Sequence, residues 1–181
     1  MPFQFSVHVW PSSETELSHI EHLHDDSSDP RPRLIDALLN ACGDKGSIVA
    51  YYGRFESDRI NEMAEGFQEY AEQLKSLVAR IVDPLPVIRD HVYDIGFKGS
   101  FSLKSVAPSL LGEDQSYEGM FVPNGTAAQR AFEEMISASI SPERKAELSR
   151  GLLEYCHKDT LVMVELVKWL INQSQTANSN G

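Results

Sequence analysis

The chain predicts an α/β fold, a mixed sheet with helices packed on it, and three features of its 181 residues carry that expectation. Phe3, Phe5, Val7 and Val9 alternate with Gln4, Ser6 and His8, which is the period of a strand. Ser47-Ile48-Val49-Ala50-Tyr51-Tyr52 is short, apolar and β-branched, as a buried parallel strand is. Beyond Gly53, apolar residues recur mainly at helical spacing. The order β-β-α-β-α, then mostly helices, follows.

Each element has its own signal. A second strand near Leu17 to Leu23 alternates poorly and would pair with the first across Pro11-Ser12-Ser13. Asp25 to Pro32 is turn chemistry, and Pro32 suits a first helical turn. Leu34, Ile35, Leu38, Leu39 and Cys42 form a helical stripe ended by Gly43 or Gly46. Helices are expected from about Arg54 to Ala64 and from Phe67 to Val82, the second broken by Asp83-Pro84-Leu85-Pro86. A short helix runs through Leu103, Val106, Leu110 and Leu111, and residues 113–125 are a loop. Ala127 to Ile136 and the long stretch opened by Ser141-Pro142-Glu143 are helical, with Leu148, Leu152, Tyr155, Asp159, Val162 and Leu166 on one face. The domain spans 1–171, and the uncharged residues 172–181 form a disordered tail.

Composition narrows the function. The chain is 41% hydrophobic and 24% charged, ordinary for one soluble domain. No stretch approaches the roughly 18 apolar residues of a spanning helix, and residues 2–10 do not read as a signal peptide. A cytoplasmic protein without membrane contact is expected. Sixteen basic against 27 acidic residues give a net charge of −11. That disfavours a broad electrostatic grip on nucleic acid but leaves room for an enzyme holding a few nucleotides through metal ions. Cys42 and Cys156 form neither a disulfide framework nor a zinc motif, and should be unlinked thiols.

Four constellations could carry chemistry. Ile48 to Glu56 is a strand, tight turn and helix with an acid in its first turn, where a carboxylate can hold Mg²⁺. The same acid could instead complement the helix dipole. Tyr155 and Asp159 are four apart on an inward face, and a carboxylate there needs a partner or a metal unless it reaches solvent at the edge of the stripe. In Ser102-Leu103-Lys104, Ser102 could cap a helix and Lys104 could face a phosphate or simply be solvated. His19-x-x-His22-x-His24 invites a zinc reading, but His19 lies on the opposite strand face from the other two, so no zinc is expected.

Taken together, Glu56, Tyr155, Asp159 and the Ser102-Leu103-Lys104-Ser105-Val106-Ala107 stretch resemble the DEDD, or DnaQ-like, 3′–5′ exonuclease superfamily of RNase H-like fold, in its tyrosine subtype. More narrowly, PFQFSVHVW, IVAYYGRFESDRI, IVDPLPVIRDHVY, GSFSLKSVAPSLL and LEYCHKDTLVMV resemble an uncharacterised bacterial domain family found downstream of Cas4/RecB-like nuclease regions in larger proteins. The resemblance covers about residues 2–171 and implies an RNase H-like mixed sheet flanked by helices.

The resemblance also implies roles. Two Mg²⁺ or Mn²⁺ ions would be held by Glu56 and Asp159, and Tyr155 would orient the attacking water. Phe55 would support the site and the substrate by packing, and Lys104 would approach a phosphate. The partners would be 3′ ends of single-stranded DNA or RNA, with a RecB-like region on the same polypeptide. The chain departs from the pattern in having Glu56 where Asp is usual, and Tyr52 where Asn is frequent. The Asp-x-Glu first motif is absent. The expected object is therefore a nuclease domain lacking its first, central strand and inactive as it stands. The alternative is a non-catalytic interaction module with a degenerate nuclease fold.

Overall fold

Strand β1 (Gln4–Val9) pairs antiparallel with β2 (Ser18–Leu23) in a register that sets Val7 opposite Ile20 and His8 opposite His19. The computed structural model describes residues 1–11 and 16–179, so the turn expected at Ser12-Ser13 lies outside the described residues. β1 packs on α1 (Arg31–Cys42) and on α7 (Pro142–Ser179). β2 is the more open strand, with Ser18, Ile20 and Glu21 exposed, in keeping with its weak alternation. Ser6 is buried although polar, and it is satisfied by side-chain hydrogen bonds, as a buried hydroxyl must be.

The second sheet is parallel, as the apolar run predicts, and only two residues long. β3 (Ile48–Val49) pairs with β4 (Ile81–Val82) through a crossover made by α2 (Arg54–Gly66) and α3 (Ala71–Ala79). Among the described residues the two sheets are not joined. The molecule is thus mixed α/β, dominated by helices around two small two-stranded sheets.

Several expectations need correction. The helix expected over 67–82 is a 3₁₀ turn at Gln68–Tyr70, then α3, and its end is strand β4. Asp83 to Pro86 does not only break a helix. It also starts α4 (Leu85–His91), because proline fits a first turn where its missing N–H costs nothing. The residues expected as a disordered tail continue α7 over 172–179. The remaining helices are close to expectation, α5 at Leu103–Leu111 and α6 at Gly125–Met135. Asn124 caps α6, accepting from the Ala127 N–H at 2.9 Å.

Three apolar clusters hold these elements. Leu34, Ile35, Met63, Leu74 and Leu77 join α1, α2 and α3. Phe3, Phe132, Met135, Leu148 and Leu152 join the hairpin, α6 and α7. Ile88, Phe97, Val106 and Leu166 join α4, α5 and α7. Leu148, Leu152, Val162 and Leu166 are each no more than 2% exposed. The single inward stripe of α7 therefore enters two cores, and Tyr155 and Asp159 lie between them on that stripe. Cys42 and Cys156 are both free. Among the described residues, no helix is long and apolar enough to cross a membrane.

Candidate active site

The site begins at the carboxyl end of β3. There the chain turns sharply through Tyr52, whose φ of 60° is left-handed, into Gly53. A Cβ on Gly53 would lie 2.8 Å from the Ile81 side chain, so only glycine lets this turn close on β4. Asp83 holds the turn. Its carboxylate accepts from the N–H groups of Tyr52 (3.0 Å), Gly53 (3.0 Å) and Leu85 (2.9 Å), tying the β3 exit to the start of α4. The Tyr51 hydroxyl donates to the Phe101 carbonyl at 2.7 Å, drawing the approach to α5 against the same strand end.

This framework opens a cleft of about 560 Å³ lined by Glu56, Arg89, Ser102, Lys104, Tyr155 and Asp159 among others. The cleft brings together Glu56 from the first turn of α2 and Asp159 from α7, 103 positions later in the chain. Both carboxyls are pushed above their ordinary range, in each case chiefly by burial. For Glu56 the charges of Asp83 and Asp159 add to the rise. For Asp159 the Tyr117 and Tyr155 hydroxyls and the Lys104 ammonium oppose it. Tyr117 lies close enough to bias that charge, yet its buried hydroxyl reaches no partner at full hydrogen-bond geometry.

Glu56 Oε2 is likewise buried without a partner. A buried carboxylate oxygen that nothing satisfies is costly unless a cation meets it. Its own backbone N–H relieves the Glu56 carboxyl in part, while the Arg89 guanidinium in the same cleft is engaged with Asp90 at 2.9 Å. Two converging carboxylates with an orphaned oxygen fit a hard divalent cation with oxygen ligands.

The other expected residues divide. Tyr155 lines the cleft, and burial pushes its phenol up, so the hydroxyl, protonated at neutral pH like any tyrosine, stays so far into alkaline pH. Lys104 is not a solvated lysine. Its ammonium lies 4.8 Å from the Tyr155 ring centre and 4.9 Å from that of Tyr117, and it also donates to the Pro123 carbonyl. Phe55 does not pack beneath the site. It is 57% exposed, with the Arg59 guanidinium over its ring at 5.6 Å, because position 55 faces away from the α2 stripe that ends in Ile60 and Met63. Ser102 occupies the cap position of α5, but its hydroxyl engages Ser105 at 3.0 Å instead of a backbone N–H.

The histidine run separates. His24 is buried with Nε2 3.1 Å from the Ser28 carbonyl, and His22 stacks on Phe5. His19 turns instead toward His8 and His157. Tyr117 and Asp83 had no legible signal, since the first lies in a loop without periodicity and the second reads only as a helix breaker. An Asp directly before the α4 proline was the one available hint.

A protein of Mycoplasma pneumoniae (strain ATCC 29342 / M129 / Subtype 1), described as "Uncharacterized protein MG366 homolog", is 24% identical over 144 residues. The match covers 74% of this chain but 22% of the relative, so the chain spans about a fifth of that protein's length. No solved structure matches the chain. The DUF2779 profile, a domain of unknown function, matches residues 1–102, from β1 through the Glu56 turn to the edge of α5 and short of Tyr155 and Asp159. With more than half of its residues matched, the chain belongs to the DUF2779 family.

Proposed function

We propose that the chain carries two of the four metal-binding carboxylates of a 3′–5′ exonuclease centre of the DnaQ-like, tyrosine-subtype kind. The convergence of Glu56, Tyr155 and Asp159 in one cleft at a strand end is the observation that supports it. Glu56 and Asp159 would hold Mg²⁺ or Mn²⁺, which supplies Lewis acidity toward the attacking water and charge for the leaving oxygen. The protonated Tyr155 hydroxyl would orient that water beside Asp159. Lys104, held between two tyrosine rings, draws the scissile phosphate into the cleft. Phe55, exposed beside Glu56 on the first turn of α2, offers a face for stacking a terminal base.

In the RNase H-like reading, the β1–β2 and β3–β4 sheets, unjoined among the described residues, would flank a central strand. A strand seated between β1 and β3, coming from outside residues 1–181 and bearing Asp-x-Glu, would unite them and complete the ligand set. Until then each free edge is a template for association, so the chain alone is expected to be marginally stable or self-associating. A RecB-like region on the same polypeptide and single-stranded 3′ ends are the partners this reading implies.

The test uses 3′-labelled single-stranded DNA and RNA with Mn²⁺. The 181-residue chain should leave both intact. The chain extended at its N-terminus by an Asp-x-Glu strand should trim both or one from the 3′ end, and Asp159→Ala should abolish that trimming. An extended chain that is folded and monomeric yet binds no Mn²⁺ and cuts nothing would favour the non-catalytic interaction module.

A further inference from the structure

His8 on β1, His19 on β2 and His157 on α7 meet where the hairpin rests on the long helix. Their ring centres are 4.6 Å (His8 to His19), 4.9 Å (His8 to His157) and 4.5 Å (His19 to His157) apart. One ring nitrogen from each falls within 4.8 Å of the other two, and all three residues are half-buried. We propose that these imidazoles form a site for a first-row transition-metal ion, zinc foremost, which fastens the β1–β2 hairpin to α7.

A hydroxyl network prepares two of the three ligands. Ser6 Oγ lies 2.8 Å from His19 Nε2 and 2.8 Å from Thr160 Oγ1. Thr160 Oγ1 lies 2.8 Å from His8 Nδ1, and it donates back to the helix carbonyls of Cys156 (3.3 Å) and His157 (3.2 Å). With that donation made, Thr160 accepts from Ser6 and from His8 Nδ1–H, and Ser6 accepts from His19 Nε2–H. Every proton then has an acceptor. The lone pairs of His8 Nε2 and His19 Nδ1 are left free, as a metal requires. Histidine ligands characteristically donate the second ring N–H to a fixed acceptor, and here two hydroxyls supply it.

Three neutral imidazoles favour zinc and its neighbours over magnesium and leave a fourth position for water. Metal–nitrogen bonds of about 2.0–2.1 Å with tetrahedral angles would bring the nitrogens to about 3.4 Å from one another. The rings must therefore close by up to about 1.4 Å from their present spacing, within reach of small χ rotations. Glu21, on the same strand face as His19, lies 3.8 Å from its Nε2 and adds negative charge on the N–H side of that ligand. The site is separate from the acidic cleft, because positions 157 and 159 project about 200° apart around a helix.

Calorimetric titration of zinc chloride into the 181-residue chain, in excess Mg²⁺, should show one equivalent bound and a raised Tm. His157→Gln should weaken binding at least tenfold and remove the thermal shift. His8→Gln should do the same from the hairpin side, so that a folding defect in one variant does not decide the matter. His22→Gln should bind as the parent does. A cooperatively melting chain that takes up no zinc overturns the proposal. So does zinc binding that survives both substitutions, or that is lost in Asp159→Asn and kept in His157→Gln.

Discussion

His157 and Asp159 stand two residues apart on α7 and face opposite electrical conditions. The Asp159 side is a cleft of carboxyls with too little positive charge, where burial holds Glu56 and Asp159 above their ordinary range and one Glu56 oxygen has no partner. The His157 side is a nest of three imidazoles, with one nitrogen each of His8 and His19 paired through Thr160 and Ser6. Burial, then the neighbouring His19 and His157, push His8 down from 6.5 to about 4. Without metal the first region costs stability while the second is at rest. On the two proposals above, one helix would present a centre suited to a hard cation and a centre suited to a borderline one such as zinc.

The difference fixes opposite pH responses. An acid whose folded pKa is raised contributes stability that is full below its unfolded value and lost as pH rises through the raised one. That is the cleft. A histidine whose folded pKa is depressed contributes stability that is full above its unfolded value and lost as pH falls toward the folded one. That is the nest.

The largest test removes what the two regions share. Leu152 is fully buried on the common stripe of α7, and Leu152→Ala should cost about 2–5 kcal/mol by urea unfolding and weaken both centres together. Weakening of one centre alone would break the idea of a shared scaffold. Next, Asp83→Ala strips the acceptor from three backbone N–H groups at the β3 exit. It should cost about 1–3 kcal/mol and lower Mn²⁺ affinity by calorimetry while leaving zinc binding intact. Equal loss at both centres would show that the turn does not serve the cleft in particular.

A smaller effect has the opposite sign. Asp159→Asn should raise the metal-free Tm at pH 7 by about 2–4 °C, the shift that 1 kcal/mol gives at this chain length. It should also abolish any Mn²⁺-induced rise. An unchanged or lower Tm would mean that the buried charge is already compensated. The smallest effect is His8→Gln, which should flatten the part of the stability–pH curve that falls between pH 6.5 and about 4. A curve of the same slope in parent and variant would remove His8 from the acid response.

The local elements were legible because periodicity is a local property. The alternation of Phe3 to Val9 gives β1, and the Leu34–Ile35–Leu38 stripe gives α1. The stripe from Leu148 to Leu166 already placed Tyr155 and Asp159 inward on one helix. What escaped depends on distant partners. β4 is two residues that read as the end of a helix until β3 pairs with them. Asp83 reads as a helix breaker until three N–H groups converge on it, and Tyr117 lies in an unpatterned loop until α7 covers it.

The histidines mark the boundary most sharply. Spacing in the sequence groups His19 with His22 and His24. The antiparallel register instead sets His19 against His8, and helix docking adds His157, 138 positions further along the chain than His19. Sequence alone determined which residues each helix and strand would turn inward, because 3.6- and 2-residue periods decide that face by face. Only the tertiary structure decided which inward residues meet, because strand register and helix docking are set by packing between segments that the chain keeps far apart.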